Sequence, residues 1–201
     1  MKRLLLLLGA AALLVAAPAF AQYVYLDSNG DGTCTTADVL TDASTWVDVW
    51  MVTNANRDGS PATCSGPLTI LSYEFILSSD GNVTYTGYTN EIAAFTTAFG
   101  AASGGNDYRN GFGGAAPLPA GAYKLGRVAI TVNSGTFPVI SPASSTTLSA
   151  SYFTAFGSEC PGSEFDNTIK LGSDFMDLCA TYPFGIDVKA TTWGAIKNIY
   201  R

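Results

Sequence analysis

The chain has 201 residues, with 10 Lys or Arg against 16 Asp or Glu and no His. Without His, Ser-His-Asp and Cys-His catalysis are excluded. An acidic chain lacking basic runs argues against nucleic acid as a partner and suits a divalent cation.

In chain order, the first predicted element is a secretory signal at residues 1–21. Lys2 and Arg3 form a positive start, Leu4 to Ala17 an apolar stretch, and Ala19-Phe20-Ala21 the small-residue cleavage site. The apolar run falls short of the roughly 20 residues that span a bilayer, and no Cys follows the cut, so no membrane anchor is expected. The mature chain then runs from Gln22 to Arg201 as one domain. Losing 21 of 201 residues leaves 180. Losing Lys2 and Arg3 leaves 8 basic against 16 acidic residues, a formal charge of −8. Export implies a periplasmic or extracellular location.

Next comes "DSNGDGTCTTAD" at residues 27–38. A calcium loop needs hard oxygen donors converging on one point, and this stretch supplies them at EF-hand spacing. Asp27, Asn29 and Asp31 occupy positions 1, 3 and 5. Gly32 is at position 6, where the chain turns sharply. Thr33 offers its carbonyl at position 7, Thr35 falls at position 9, and Asp38 closes at position 12. A solvated Asx-Gly turn is the competing account; it does not explain acids at both ends in register. Calcium is therefore the expected cofactor, bound by Asp27, Asn29, Asp31, Thr33 and Asp38. Residues 54–59, "NANRDG", repeat half of the pattern, but Ser65 would stand at its twelfth position, so a turn is expected there.

Strand-like runs separated by Gly, Pro, Asn and Asp follow. They are Tyr23–Leu26, Thr45–Val52, Leu68–Leu77, Asn82–Tyr88, Lys124–Val132, Phe137–Ile140, Thr147–Phe156, Thr168–Leu171 and Gly185–Lys189. Tyr73, Phe75 and Leu77 share one face, with Ser72 and Glu74 opposite. Val128, Ile130 and Val132 share another, against Arg127, Ala129 and Thr131. Asp80-Gly81 between two runs predicts a hairpin.

At most two short helices are expected: residues 91–99 capped by Asn90, and the C-terminal "TTWGAIKNIYR". The Gly-, Ala- and Pro-rich residues 100–122 suggest a long loop, in the first place a mobile connection; the alternative is a binding surface lined by Tyr108, Arg109 and Phe112. The pattern as a whole predicts an all-β protein, a β-sandwich such as the immunoglobulin type, or a jelly roll.

Four cysteines, Cys34, Cys64, Cys160 and Cys179, allow three pairings. Cys34–Cys64 and Cys160–Cys179 are preferred because each closes a local loop; peptide mapping without reductant tests this. Zinc is disfavoured, since there is no CxxC and no His.

The D-x-N-x-D-G start and terminal Asp of residues 27–38 resemble the calcium loops of EF-hands and, more closely, of dockerins. That resemblance implies a short helix after the loop, at "VLTDAS". It covers about a dozen residues, and a dockerin has two such loops. "SYEFILSSDGNVTY" and "YKLGRVAITV" resemble core strands of secreted bacterial sandwiches of cohesin and carbohydrate-binding type. "FGSECPGSEFDNTIKLGSDF" and the terminal "WGAIKNIYR" resemble segments of uncharacterised exported bacterial proteins.

Together these point to an exported, calcium-stabilised module for binding, adhesion or structure, not an enzyme, whose partner is a protein or glycan surface. The alternative is a carbohydrate-active enzyme with two carboxylates, drawn from Glu74, Glu91, Asp107, Glu159, Glu164, Asp166 and Asp174.

Overall fold

The computed structural model describes residues 22–35, 37–55, 61–62, 68–143, 148–149, 151–158 and 168–170. The expected signal, the strand at 185–189 and the C-terminal helix lie outside them.

The described residues form eleven strands and no helix. They are β1 (Tyr23–Asp27), β2 (Trp46–Val52), β3 (Thr69–Ser79), β4 (Val83–Asn90), β5 (Thr97–Ala98), β6 (Ala102–Gly104), β7 (Asp107–Pro119), β8 (Ala122–Val132), β9 (Ile140–Pro142), β10 (Ala155–Ser158) and β11 (Thr168–Lys170). One sheet has the order β1-β2-β8-β4. The other runs β11-β10-β3-β7-β5, with β6 also on β7 and β9 on β3. Every pairing is antiparallel.

The core lies between the sheets and follows the two-residue period of the strands. Tyr73, Phe75 and Leu77 of β3 point inward at 1%, 0% and 0% exposure. They meet Val47, Val49 and Met51 of β2 and Val128 and Ile130 of β8 in one cluster. Both predicted apolar faces are therefore core faces.

Four local expectations are corrected. Asp80-Gly81 does not make a hairpin: β3 and β4 belong to different sheets. The turn is an arch, tied by Asp80 N–H to the Val139 carbonyl and Ser79 N–H to the Asn106 carbonyl. Residues 91–99 are not a helix. Asn90 does accept from Ile92 N–H, but its amide also donates to the Phe95 and Ile92 carbonyls, holding a single turn. "VLTDAS" is not a helix either; a turn closes it, from Ser44 N–H to the Thr41 carbonyl.

The fourth correction is the largest. Residues 100–122 are not a loop but contain β6, β7 and the first residue of β8. Glycine here marks close approach. A Cβ at Gly111 would lie 2.7 Å from the Tyr73 carbonyl oxygen, and one at Gly113 would lie 2.8 Å from the Phe99 ring. Tyr108 and Arg109, the candidates for a binding surface, are buried at 6% and 7% exposure, and Phe112 packs against the core.

Candidate metal-binding loop

β1 alternates: Val24 and Leu26 enter the core, and Tyr25 and Asp27 take the opposite face. In register, Asp27 lies beside Asp48 of β2, and Asp48 beside Arg127 of β8. The chain after Asp27 folds back over this outer face. A Cβ on Gly30 would meet the Trp46 ring at 3.4 Å, and one on Gly32 the Trp50 ring at 3.4 Å. Both glycines have positive φ, 81° and 75°, which side chains resist. The sharp turn expected at Gly32 is present.

The loop is held by its own carboxylates. Asp27 Oδ1 accepts from the N–H groups of Asn29 (3.1 Å) and Gly30 (2.6 Å), and its Oδ2 from Gly32 (2.8 Å). Asp38 Oδ1 accepts from Ser28 N–H at 2.8 Å, and Oδ2 from Thr35 N–H at 2.9 Å. The first and last acids of the loop are thus drawn to its base, each 1% exposed. Asn29 Oδ1 accepts from Asp31 N–H, and Asp31 Oδ1 from the N–H and hydroxyl of Thr33. Those bonds to Thr33, hydroxyl first and then backbone, hold the exposed Asp31 carboxyl below its ordinary pKa.

Tyr25 reports on the grouping of charge. Its hydroxyl donates to the Gly32 carbonyl at 2.9 Å. Its pKa is pushed up to about 12, first by burial and then by Tyr23, Asp27, Asp31 and Asp38.

Among the described residues no three acidic or Cys side chains gather closely enough to hold a metal ion. Asp27 and Asp38 are buried at the base while Asp31 faces solvent. The donor chemistry nevertheless fits calcium. These are hard oxygens, and a carboxylate has about four lone-pair positions, of which the N–H groups use two or three. A calcium site requires Asp31 to turn inward.

Cys34, within the loop, is disulfide-bonded; Cys64, Cys160 and Cys179 lie outside the described residues. At the half-pattern, Ala62 N–H donates to the Asn54 carbonyl and Ala55 pairs with Pro61; Asn56, Asp58 and Gly59 lie outside the described residues.

The carboxylates considered for catalysis are differently employed. Glu74, expected on a solvent face, is ion-paired to Arg109 at 2.8 Å and accepts from Phe153 N–H at 3.0 Å. Glu91 pairs with Lys124 at 3.0 Å. Asp107 lies half-buried at the start of β7. Glu159, Glu164, Asp166 and Asp174 fall outside the described residues.

Sequence reasoning missed Asp48, which is 1% exposed. It takes both Nε and Nη2 of Arg127, at 2.7 and 2.8 Å, and Lys124 at 2.8 Å. Arg127 in turn stacks over Trp46, 3.8 Å from the ring centre. The signal was an Asp amid the apolar "WVDVWMV", a position that requires a partner when buried.

No protein-family model and no curated protein matches the chain. Among solved structures, it is similar to a cohesin module from a Clostridium perfringens family 33 glycoside hydrolase. The TM-score is 0.50 at 10% identity, covering 76% of this chain and 90% of that one. It is also similar to a type III cohesin module from the cellulosomal ScaE cell-surface anchoring scaffoldin of Ruminococcus flavefaciens. There the TM-score is 0.43 at 12% identity, covering 70% and 74%. The first likeness is one of fold: the chain is an all-β, cohesin-like sandwich.

Proposed function

We propose that the chain is an exported, calcium-stabilised sandwich that serves as a non-catalytic binding or structural module for a protein or glycan surface. The observation that carries the reading is the cohesin-like fold, which covers 90% of a cohesin module. The enclosure of Glu74 by Arg109 and the Phe153 N–H supports it further, since a catalytic acid or base needs a carboxylate open to its substrate. A reducing-sugar release assay over a polysaccharide panel is expected to stay blank. Release that disappears in Glu74→Gln or Glu91→Gln would replace this reading with a hydrolase.

Calcium is assigned to Asp27, Asn29, Asp31, Asp38 and the Thr33 carbonyl. The closure of Asp38 onto Ser28 and the shared effect of the three acids on Tyr25 support this assignment. The bound ion would neutralise the acids and fasten the loop over Trp46 and Trp50. A disulfide from Cys34 to Cys64 would tie the same loop to the segment beyond β2.

At a hundredfold excess of free calcium over its dissociation constant, the gain is about 2.7 kcal/mol. That corresponds to a rise of a few degrees in Tm. Thermal melting in EDTA and in calcium tests this for the wild type, Asp38→Ala and Asp58→Ala. The rise should vanish in Asp38→Ala and persist in Asp58→Ala. Equal melting of the wild type in both buffers counts against the metal.

A further inference from the structure

The chain holds two Asn-Gly pairs, Asn29-Gly30 and Asn110-Gly111. Such a pair is reactive. The backbone nitrogen after Asn can attack the side-chain carbonyl carbon, and glycine has no Cβ to obstruct the approach. The fold treats the two pairs in opposite ways.

Asn29 and Gly30 are both exposed, so water reaches them. The Gly30 N–H, whose nitrogen would attack, donates to Asp27 Oδ1 at 2.6 Å. General-base catalysis needs a base within hydrogen-bond reach of the proton to be removed. The Asn29 side-chain oxygen, where negative charge develops on attack, accepts from Asp31 N–H at 2.9 Å. A donor already in place at that oxygen stabilises the charge.

Asn110 lies within β7 and is 7% exposed. Its side-chain oxygen accepts from Gly111 N–H at 2.9 Å, and its amide nitrogen donates to the Tyr108 hydroxyl at 3.1 Å. The Gly111 proton is thus directed at Asn110 itself and not at a base. Reaction there requires the strand to open locally and admit water.

We propose that Asn29 is a self-modification site, converted by its own loop to aspartate or isoaspartate. Asp27 takes the Gly30 proton as the Gly30 nitrogen bonds to Asn29 Cγ. The Cγ–Nδ2 bond then breaks, the proton passes to the departing nitrogen, and ammonia leaves behind a five-membered succinimide. Water opens the ring. Addition at Cγ yields aspartate, and addition at the backbone carbonyl yields isoaspartate. The net change consumes one water and releases one ammonia. Either product adds a carboxylate to those of Asp27, Asp31 and Asp38, and isoaspartate also lengthens the main chain of the loop by one atom. The reaction needs no metal, so it stands independently of the calcium reading.

The test incubates residues 22–201 in EDTA at mildly alkaline pH, natively and in concentrated urea. After reduction, fragmentation of tryptic peptides 22–57 and 110–124 in a mass spectrometer reads the gain of one mass unit at each Asn. In the native protein Asn29 should convert about tenfold faster than Asn110, or more. In urea the two should convert alike, and no faster than native Asn29. Asp27→Asn, with a wild-type far-UV spectrum, should slow Asn29 roughly tenfold. Native Asn29 as slow as Asn110 overturns the proposal. So does an Asn29 that converts faster in urea than in the native protein, a result that needs no variant to fold. An unslowed Asn29 in folded Asp27→Asn also overturns it.

Discussion

Gly126→Ala should be among the most damaging single substitutions in the domain. Gly126 sits in the central strand β8, opposite Val49 of β2 and Asn90 of β4, where the register with β2 shifts. A Cβ there would lie well inside contact distance of the Thr89 carbonyl oxygen and 2.7 Å from the Tyr88 hydroxyl. The carbonyl is backbone of a paired strand and cannot swing away. Its displacement would also disturb Tyr88, whose hydroxyl lies 2.8 Å from that of Tyr73. Overpacking of this kind costs about 3 kcal/mol, a large share of the roughly 5–15 kcal/mol that holds a domain together. Gly87→Ala is the control on the neighbouring strand, since an added Cβ meets nothing within 4 Å. Urea denaturation should show a much lower midpoint for Gly126→Ala and little change for Gly87→Ala. Equal midpoints would mean that β4 and β8 are not packed as described.

Asp48→Asn should cost about 2–4 kcal/mol near neutral pH, below the usual range for breaking a fully buried pair because both cations reach solvent. The carboxylate accepts three charge-assisted bonds, and the amide can replace at most part of them. Burial raises the Asp48 pKa, but the bonds from Arg127 and Lys124 outweigh it, and the group titrates below its ordinary value. Its folded pKa thus lies below the unfolded one. The stabilisation is fully present above the ordinary carboxylate value, about 4, and is lost as pH falls through the folded value. Wild-type stability should therefore drop on acidification below about pH 4, and Asp48→Asn should show a shallower drop. Parallel pH profiles would show that Asp48 is not the group responsible.

The strands were legible where one face is buried and the other wet. β8 alternates from Arg127 to Val132 because each side chain there goes to the core or away from it, and β3 shows its core face at Tyr73, Phe75 and Leu77 although Ile76 on the other face is buried too. β7 was illegible for the opposite reason. Gly111, Gly113 and Gly114 look like a loop, but they are small because Phe99 and the 92–95 turn press against the strand. The Asp80-Gly81 turn showed its own geometry but not which sheets it joins, since that depends on partners far along the chain. In the candidate loop, spacing identified the sharp turn at Gly32, a local property of the chain. Asp48 was hidden because its partners, Lys124 and Arg127, come from a strand more than seventy residues away.

The most direct test is a crystal structure of residues 22–201 grown with calcium, with the ion located by its anomalous scattering. One ion is expected at the loop, with Asp31 turned inward and oxygens from Asp27, Asn29, Asp31, Asp38 and the Thr33 carbonyl at about 2.3–2.6 Å. A loop without an ion at saturating calcium, with Asp31 still bonded to Thr33 and facing solvent, would contradict it.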